Sequence, residues 1–211
     1  MSIKSICGAL ALVSMVTVNQ AWSAPATKKA TPAAAATAVW KIDTPHSDAS
    51  FKIRHLMVSN VKGHFSKVSG TIEYDGKDVK SVKIDAEIEV ASIDTGDKGR
   101  DEHLKNPDFL DAAKYPKITF KSTSVKSSGK GKFAVTGDLS MHGVTKAVTL
   151  DVEGPADAIK DPKGVTRTGA TATTKINRKD FGITWNKAMD GGGAMLGEDV
   201  PVTIEIEAAK Q

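Results

Sequence analysis

The chain of 211 residues carries 29 Lys and Arg against 25 Asp and Glu, a formal charge of +4, with 40% apolar residues, 5% aromatic residues and a single cysteine. A balance this near neutrality, with no basic run interleaved with aromatics, argues against a nucleic-acid groove. One cysteine excludes a disulfide framework, so the fold has to rest on its own hydrophobic core.

The N-terminus places Lys4 before an uncharged, mostly apolar run from Ile6 to Val18, followed by the small residues Ala21 and Ser23. This is the pattern of a secretory signal peptide. The run falls short of the roughly 20 residues needed to span a bilayer, so no stable membrane insertion is expected. Cleavage is expected after Ser23, and Cys7 leaves with the signal. Residues 24–38 are dominated by Ala, Pro, Thr and Lys and read as a linker. The expected organisation is therefore signal peptide 1–23, linker 24–38 and one folded domain over 39–211. Without Lys4, 28 basic residues face 25 acidic ones, a balance of +3.

Within that domain a period of two recurs. In 49–57, Phe51, Ile53 and His55 share a face. In 82–90, Val82, Ile84, Ala86, Ile88 and Val90 lie opposite Lys83, Asp85, Glu87 and Glu89. The alternation returns at Ile118 and Phe120, from Phe133 through Val135, Gly137 and Leu139 to Met141, at Val148 to Val152, and at Val202 to Ile206. These are half-buried strands, about eight or nine of them. Turn clusters at 75–78, 127–131, 142–146 and 160–164 join antiparallel neighbours. No helical pattern of ten or more residues alternates with the strands, so βαβ architecture is disfavoured and the class is all-β antiparallel. One apolar face per strand requires the sheet to close, as a sandwich or a barrel. Small inward residues such as Ala86, Gly137, Ala170 and Ala172 would leave an eight-stranded barrel with room for one small apolar ligand.

The stretch RDEHLKNPDFLDAAKYPKITF (100–120) is the helical interruption, with short helical turns expected near 100–113. Asn106 or Asp108 is available as a cap. Arg100 is positioned to pair with Asp101, Asp108 or Asp111, or to cap carbonyls across the barrel end, while Leu104, Phe109 and Leu110 would plug or cover that end. Acid–base or metal chemistry from this crowd of charges is the alternative, but Asp101 and His103 diverge on a helix. Among His46, His55, His64, His103 and His142 there is no closely spaced zinc pair, and no metal or cofactor is expected. His55 should point inward, as a hydrogen-bonded interior histidine or as a contact to a ligand head group. His142 reads as a turn residue. The segment 185–200, with Trp185, Met189, Met195, Leu196 and three glycines, reads as a long loop, functionally a flexible one near a barrel mouth. There is neither a G-x-S-x-G elbow nor a phosphate loop.

Four stretches, IDTPHSDASFKIRHLMVSNVKGHF (42–65), SIDTGDKGRDEHLKNPDFLDAAKYPKITFKS (92–122), GDLSMHGVTKAVTL (137–150) and INRKDFGI (176–183), resemble the YceI-like family in order and spacing, from Trp40 to about Ala208. The resemblance implies a lipocalin-like antiparallel barrel in the periplasm that holds an isoprenoid or similar long-chain lipid, such as a polyprenyl phosphate or a quinone, for sequestration or transport. It supplies no catalytic residue. The expected cavity residues are Phe51, Ile53, His55, Phe65, Leu104, Phe109, Leu110, Ile118, Phe120, Leu139, Met141, Phe181 and Trp185, with Arg54 and Arg178 as head-group candidates. The alternatives are an enzyme acting on a lipid or quinone through His55 or the 100–111 cluster, and a structural or metal-handling stress protein. The protein is expected as a monomer or homodimer.

Overall fold

The computed structural model describes residues 37–75, 78–190 and 192–211. The expected signal peptide and all but the last two linker residues lie outside the described residues. In chain order the elements are β1 (Ala38–Ile42), β2 (Asp48–His55), β3 (Ser59–Phe65), β4 (Val68–Tyr74), β5 (Lys83–Glu89), β6 (Ile93–Asp94), α1 (Lys98–Lys105), β7 (Lys117–Gly129), β8 (Lys132–Met141), β9 (Val144–Glu153), β10 (Ile159–Lys160), β11 (Thr166–Asn177) and β12 (Asp199–Lys210). No described helix is long and apolar enough to cross a membrane.

The sheet closes on itself. Around the ring the order is β1, β4, β5, β7, β8, β9, β11, β12 and back to β1, all antiparallel. On one edge of β12, Ala208 to Lys210 face β1 while Val202 to Glu205 face β2. Thus β1 and β2 serve in succession as one bent stave, and β3–β4 and β5–β6 do the same beside them. The result is an eight-stranded antiparallel barrel: the alternation left sandwich and barrel open, and the family resemblance implied the barrel. Helix α1, the one α-helix among the described residues, lies at the end where β6 stops after two residues.

The period of two builds the wall as expected. On β5, Ile84, Ala86 and Ile88 face inward, while Lys83, Glu87 and Glu89 meet Glu73, Lys117 and Lys67 across the outer surface. Exposed pairs of this kind contribute at most about 1 kcal/mol each, so the inward side chains carry the stability. Val135 is fully buried on β8. Gly137, two residues on, is required by close approach: a Cβ there would lie 2.5 Å from the Lys121 carbonyl oxygen and from the Phe120 ring.

Two local expectations change. Val90 is not the last residue of a strand; β5 ends at Glu89, and Val90 begins a buried 3-10 turn. The run 49–57 ends as a strand at His55, because Leu56 and Met57 form the β2–β3 turn at φ 50° and 57°, closed by the Val58 N–H donating to the His55 carbonyl at 3.1 Å. Positive φ at the first two of the three loop residues favours Asn and Gly, and a non-glycine residue at each costs roughly 1–2 kcal/mol. Two large apolar residues occupy these positions instead.

Candidate functional site

A cavity of about 510 Å³ runs along the barrel interior. At one end it reaches Ile84, Val152, Ala170 and Ile206; at the other it reaches His55, Arg100, His103, Trp185 and Leu196. The register of β2 and β8 against their neighbours places the β2–β3 turn, the β8–β9 turn and α1 at this second end. The wall is overwhelmingly Val, Ile, Leu, Phe and Ala, and its volume lies in the range of small-ligand sites.

Twelve of the thirteen expected cavity residues line it: Phe51, Ile53, His55, Phe65, Leu104, Phe109, Leu110, Ile118, Phe120, Leu139, Met141 and Trp185. Phe181 does not. It is 2% exposed in a 3-10 turn after β11 and packs into the wall between the barrel and the following loop. Of the two arginines, Arg54 is also off the cavity. The alternation that turns Ile53 and His55 inward turns Arg54 outward, where its Nη2 donates to the Met57 carbonyl at 2.8 Å.

Arg178 is the arginine that reaches the interior. It is 4% exposed and lines the cavity. Its Nε donates to the Gly197 carbonyl at 2.9 Å, and Nη1 donates to the carbonyls of Ile183 and Trp185, both at 2.8 Å. Its Nη2 is buried without a hydrogen-bond partner. Burial holds the pKa of this guanidinium below the ordinary arginine value, partly opposed by Glu198, yet an arginine stays charged near neutrality. A buried charge with one unused donor is costly unless an acceptor comes to it.

The segment after Arg178 is tied down rather than loose. The Asn186 side chain accepts from the Leu196 N–H at 3.0 Å and donates to the Leu196 carbonyl at 2.8 Å. The Leu56 N–H donates to Met195 at 2.7 Å, and the Gly197 N–H to Arg54 at 2.8 Å. These bonds extend β2's pairing beyond the end of β12 and hold Trp185 and Leu196 over the cavity end.

Helix α1 closes the other side of that end. Its N-cap is Asp97, whose carboxylate accepts from the Arg100 N–H at 3.0 Å, a bond that lowers its pKa, and its C-cap is Asn106, whose backbone N–H donates to the His103 carbonyl; Asp108 caps neither end. Arg100 pairs with none of the expected carboxylates. Its Nε and Nη2 hold the Thr95 hydroxyl and carbonyl at 2.8 and 2.9 Å, while buried Asp101 accepts from the Thr95 N–H and hydroxyl at 2.9 and 2.6 Å. The crowd of charges therefore fastens the helix to the strand end. His103 stacks edge-on against Phe109 and Trp185, with ring centroids 5.0 and 5.2 Å away, and meets Asp108 at 3.2 Å. His55 faces the cavity, and its ring has no hydrogen bond to protein among the described residues. His142 sits in a turn at φ 52°, its Nδ1 bonded to the Phe181 carbonyl at 3.0 Å.

One grouping was invisible in sequence. Asp43, His46 and Glu207 bring ligand-type atoms within 4.8 Å of one another. Arg167 already occupies the position a cation would take: its Nη1 donates to both Asp43 and Glu207, and its Nε to Asp161 at 2.7 Å. Three carboxylates on one arginine make this a clasp between β11, β12 and the segment after β1.

Fold and site together define a closed antiparallel barrel with an elongated apolar interior, polar at one end. The chain belongs to the YceI-like family, whose model, the YceI-like domain, matches residues 40–208. It is 41% identical over 156 residues to a UPF0312 protein of Vibrio parahaemolyticus, covering 73% of this chain and 82% of that protein. The crystal structure of a Campylobacter jejuni YceI protein superimposes with a TM-score of 0.62 at 33% identity, covering 74% of this chain and 89% of that one. A polyisoprenoid binding domain from Saccharophagus degradans, implicated in plant cell wall breakdown, shares the fold at 14% identity and a TM-score of 0.60, covering 82% and 98% of the two chains.

Proposed function

We propose that this protein is a periplasmic binding protein for an isoprenoid or similar long-chain lipid, held in the barrel interior and carried or sequestered there. The single observation that carries the reading is the apolar cavity lined in part by Arg178, whose Nη2 is buried without a hydrogen-bond partner. A chain in water exposes apolar surface worth about 25 cal/mol per Å² on burial, so an apolar tunnel retains it without chemistry. The head group then lies at the end bounded by Arg178, His55, Arg100 and His103, with an oxygen acceptor against Arg178: a phosphate, a carboxylate or a quinone carbonyl. The polyisoprenoid binding domain of the same fold supports an isoprenoid chain, and the N-terminal pattern of residues 1–23 supports export.

Native mass spectrometry of the purified protein, followed by solvent extraction, tests this. A discrete apolar adduct that extracts as a prenyl or long acyl chain is expected. A protein that remains empty when offered polyprenyl phosphates and quinones overturns it.

A further inference from the structure

We propose that the β2–β3 turn is a membrane-docking tip, seating Leu56, Met57 and Val58 in an anionic bilayer while Lys52, Arg54 and Lys62 meet its phosphates. The lipid-binding reading gives this surface its purpose, but the surface is argued on separate residues.

Three of the five large apolar side chains exposed among the described residues are consecutive here, at 38%, 46% and 75% exposure for Leu56, Met57 and Val58. A soluble surface scatters such residues singly. The backbone adds an independent sign. Leu56 and Met57 both hold positive φ in a tight turn, where Asn and Gly would sit without strain. Strain of this kind persists where the side chains are needed for something other than stability.

Charge identifies the occupant. Lys52 and Lys62 are directly opposite each other in the β2–β3 register, both exposed, and neither forms an ion pair or a side-chain hydrogen bond among the described residues. Arg54 lies beside them and is tied only to the Met57 carbonyl. Some outward lysines elsewhere are matched, as Lys67 with Glu89 and Lys117 with Glu87, and others, such as Lys41, Lys126 and Lys146, stand alone opposite uncharged residues; Lys52 and Lys62 differ in facing each other directly. The carboxylates on the flanking strands are already engaged: Asp94, opposite His64, accepts from the Gly96 N–H, and Glu198 and Asp199, next to the Gly197 that bonds Arg54, pair with Lys179 and Lys175. Like charges facing each other are unfavourable unless an anionic surface lies against them. A convex three-residue tip is too small for a specific protein interface, whereas apolar insertion combined with cations is what a bilayer surface retains.

The position fits the cavity. His55 precedes the tip and lines the interior, and the Leu56 N–H is bonded to Met195 beside Leu196, also a lining residue. Docking would bring the polar end of the cavity to the lipid.

Flotation of the protein, carrying its own processed N-terminus, with vesicles of phosphatidylglycerol and phosphatidylcholine, or of phosphatidylcholine alone, tests the proposal. Partitioning into the anionic vesicles that weakens with salt is expected. Leu56→Asn with Met57→Gly should lower it about tenfold or more and, because strain is relieved, raise the melting temperature. Lys52→Gln with Lys62→Gln should lower it roughly fivefold per cation with the melting temperature unchanged. No binding to anionic vesicles, or binding indifferent to the turn variant, overturns the proposal. So does a dimer in light scattering that the turn variant dissolves, since the tip would then serve self-association. The vesicles contain no prenyl lipid, so failure here leaves the cavity reading standing, and an empty cavity leaves this one standing.

Discussion

Replacing Arg178 by lysine separates its charge from its fork. Both side chains bring one positive charge into the same buried place, so the desolvation cost is similar before and after. What changes is reach: Arg178 serves the carbonyls of Gly197, Ile183 and Trp185 at 2.8–2.9 Å from two nitrogens, and a single ammonium reaches one of them well. Two hydrogen bonds from a charged donor are lost at about 1.5 kcal/mol or more each, giving a destabilisation of about 3 kcal/mol. For a domain of this size that is a fall in Tm of roughly 6–12 °C. Thermal unfolding by circular dichroism reads it, and amide exchange should show lost protection at Met195, Leu196 and Gly197, in the segment that the Arg178 guanidinium holds in place. A Tm within about 2 °C of the parent protein would refute the idea that the guanidinium fork organises this end of the barrel.

Three further outcomes follow from the geometry. Ala172→Phe puts a ring into the cavity from β11; it should abolish the lipid adduct in native mass spectrometry while shifting stability by less than the 1–3 kcal/mol typical of overpacking, because the space is already open. Gly137→Val should unfold readily, since its Cβ alone would meet the Lys121 carbonyl oxygen at 2.5 Å, and chemical denaturation should show a loss at the large end for single substitutions. The third outcome concerns acid. Arg167 holds the Asp43 and Asp161 carboxyls below their usual pKa. Groups lowered in the folded state contribute stability above the unfolded carboxyl pKa and lose it as pH falls through the lowered folded values. The stability difference between the parent and Arg167→Gln should therefore be full at pH 7 and fade below about pH 4; a difference that grows with acid would contradict the clasp.

What sequence alone determined about this protein was whatever depends on neighbours two apart. Strict alternation in 82–90, 133–141 and 202–206 leaves one apolar face per strand, and with small inward residues that face has to wrap around something. Eight of the expected lining residues, Phe51, Ile53, His55, Phe65, Ile118, Phe120, Leu139 and Met141, lie on strands, where the side on which a residue falls is a local fact; Leu104, Phe109, Leu110 and Trp185 lie in α1 and the loops, and their place over the interior depends on how those segments fold back. Phe181 escaped, since it belongs to a 3-10 turn with no period of two. The turn at Leu56 and Met57 escaped because its residues carry none of the usual turn chemistry and continue the apolar pattern of the strand before them.

Tertiary structure decided the rest, by bringing together partners far apart in the chain. Only closure of the barrel brings Asp43 and Glu207 to Arg167, and only the folding back of the segment 183–197 surrounds Arg178 with its carbonyls. Arginines 54 and 178 look equivalent in sequence. One lies on the outer face of a strand, where alternation turns it to water, and the other begins a turn that carries it beneath a loop, where one of its donors is buried without a partner.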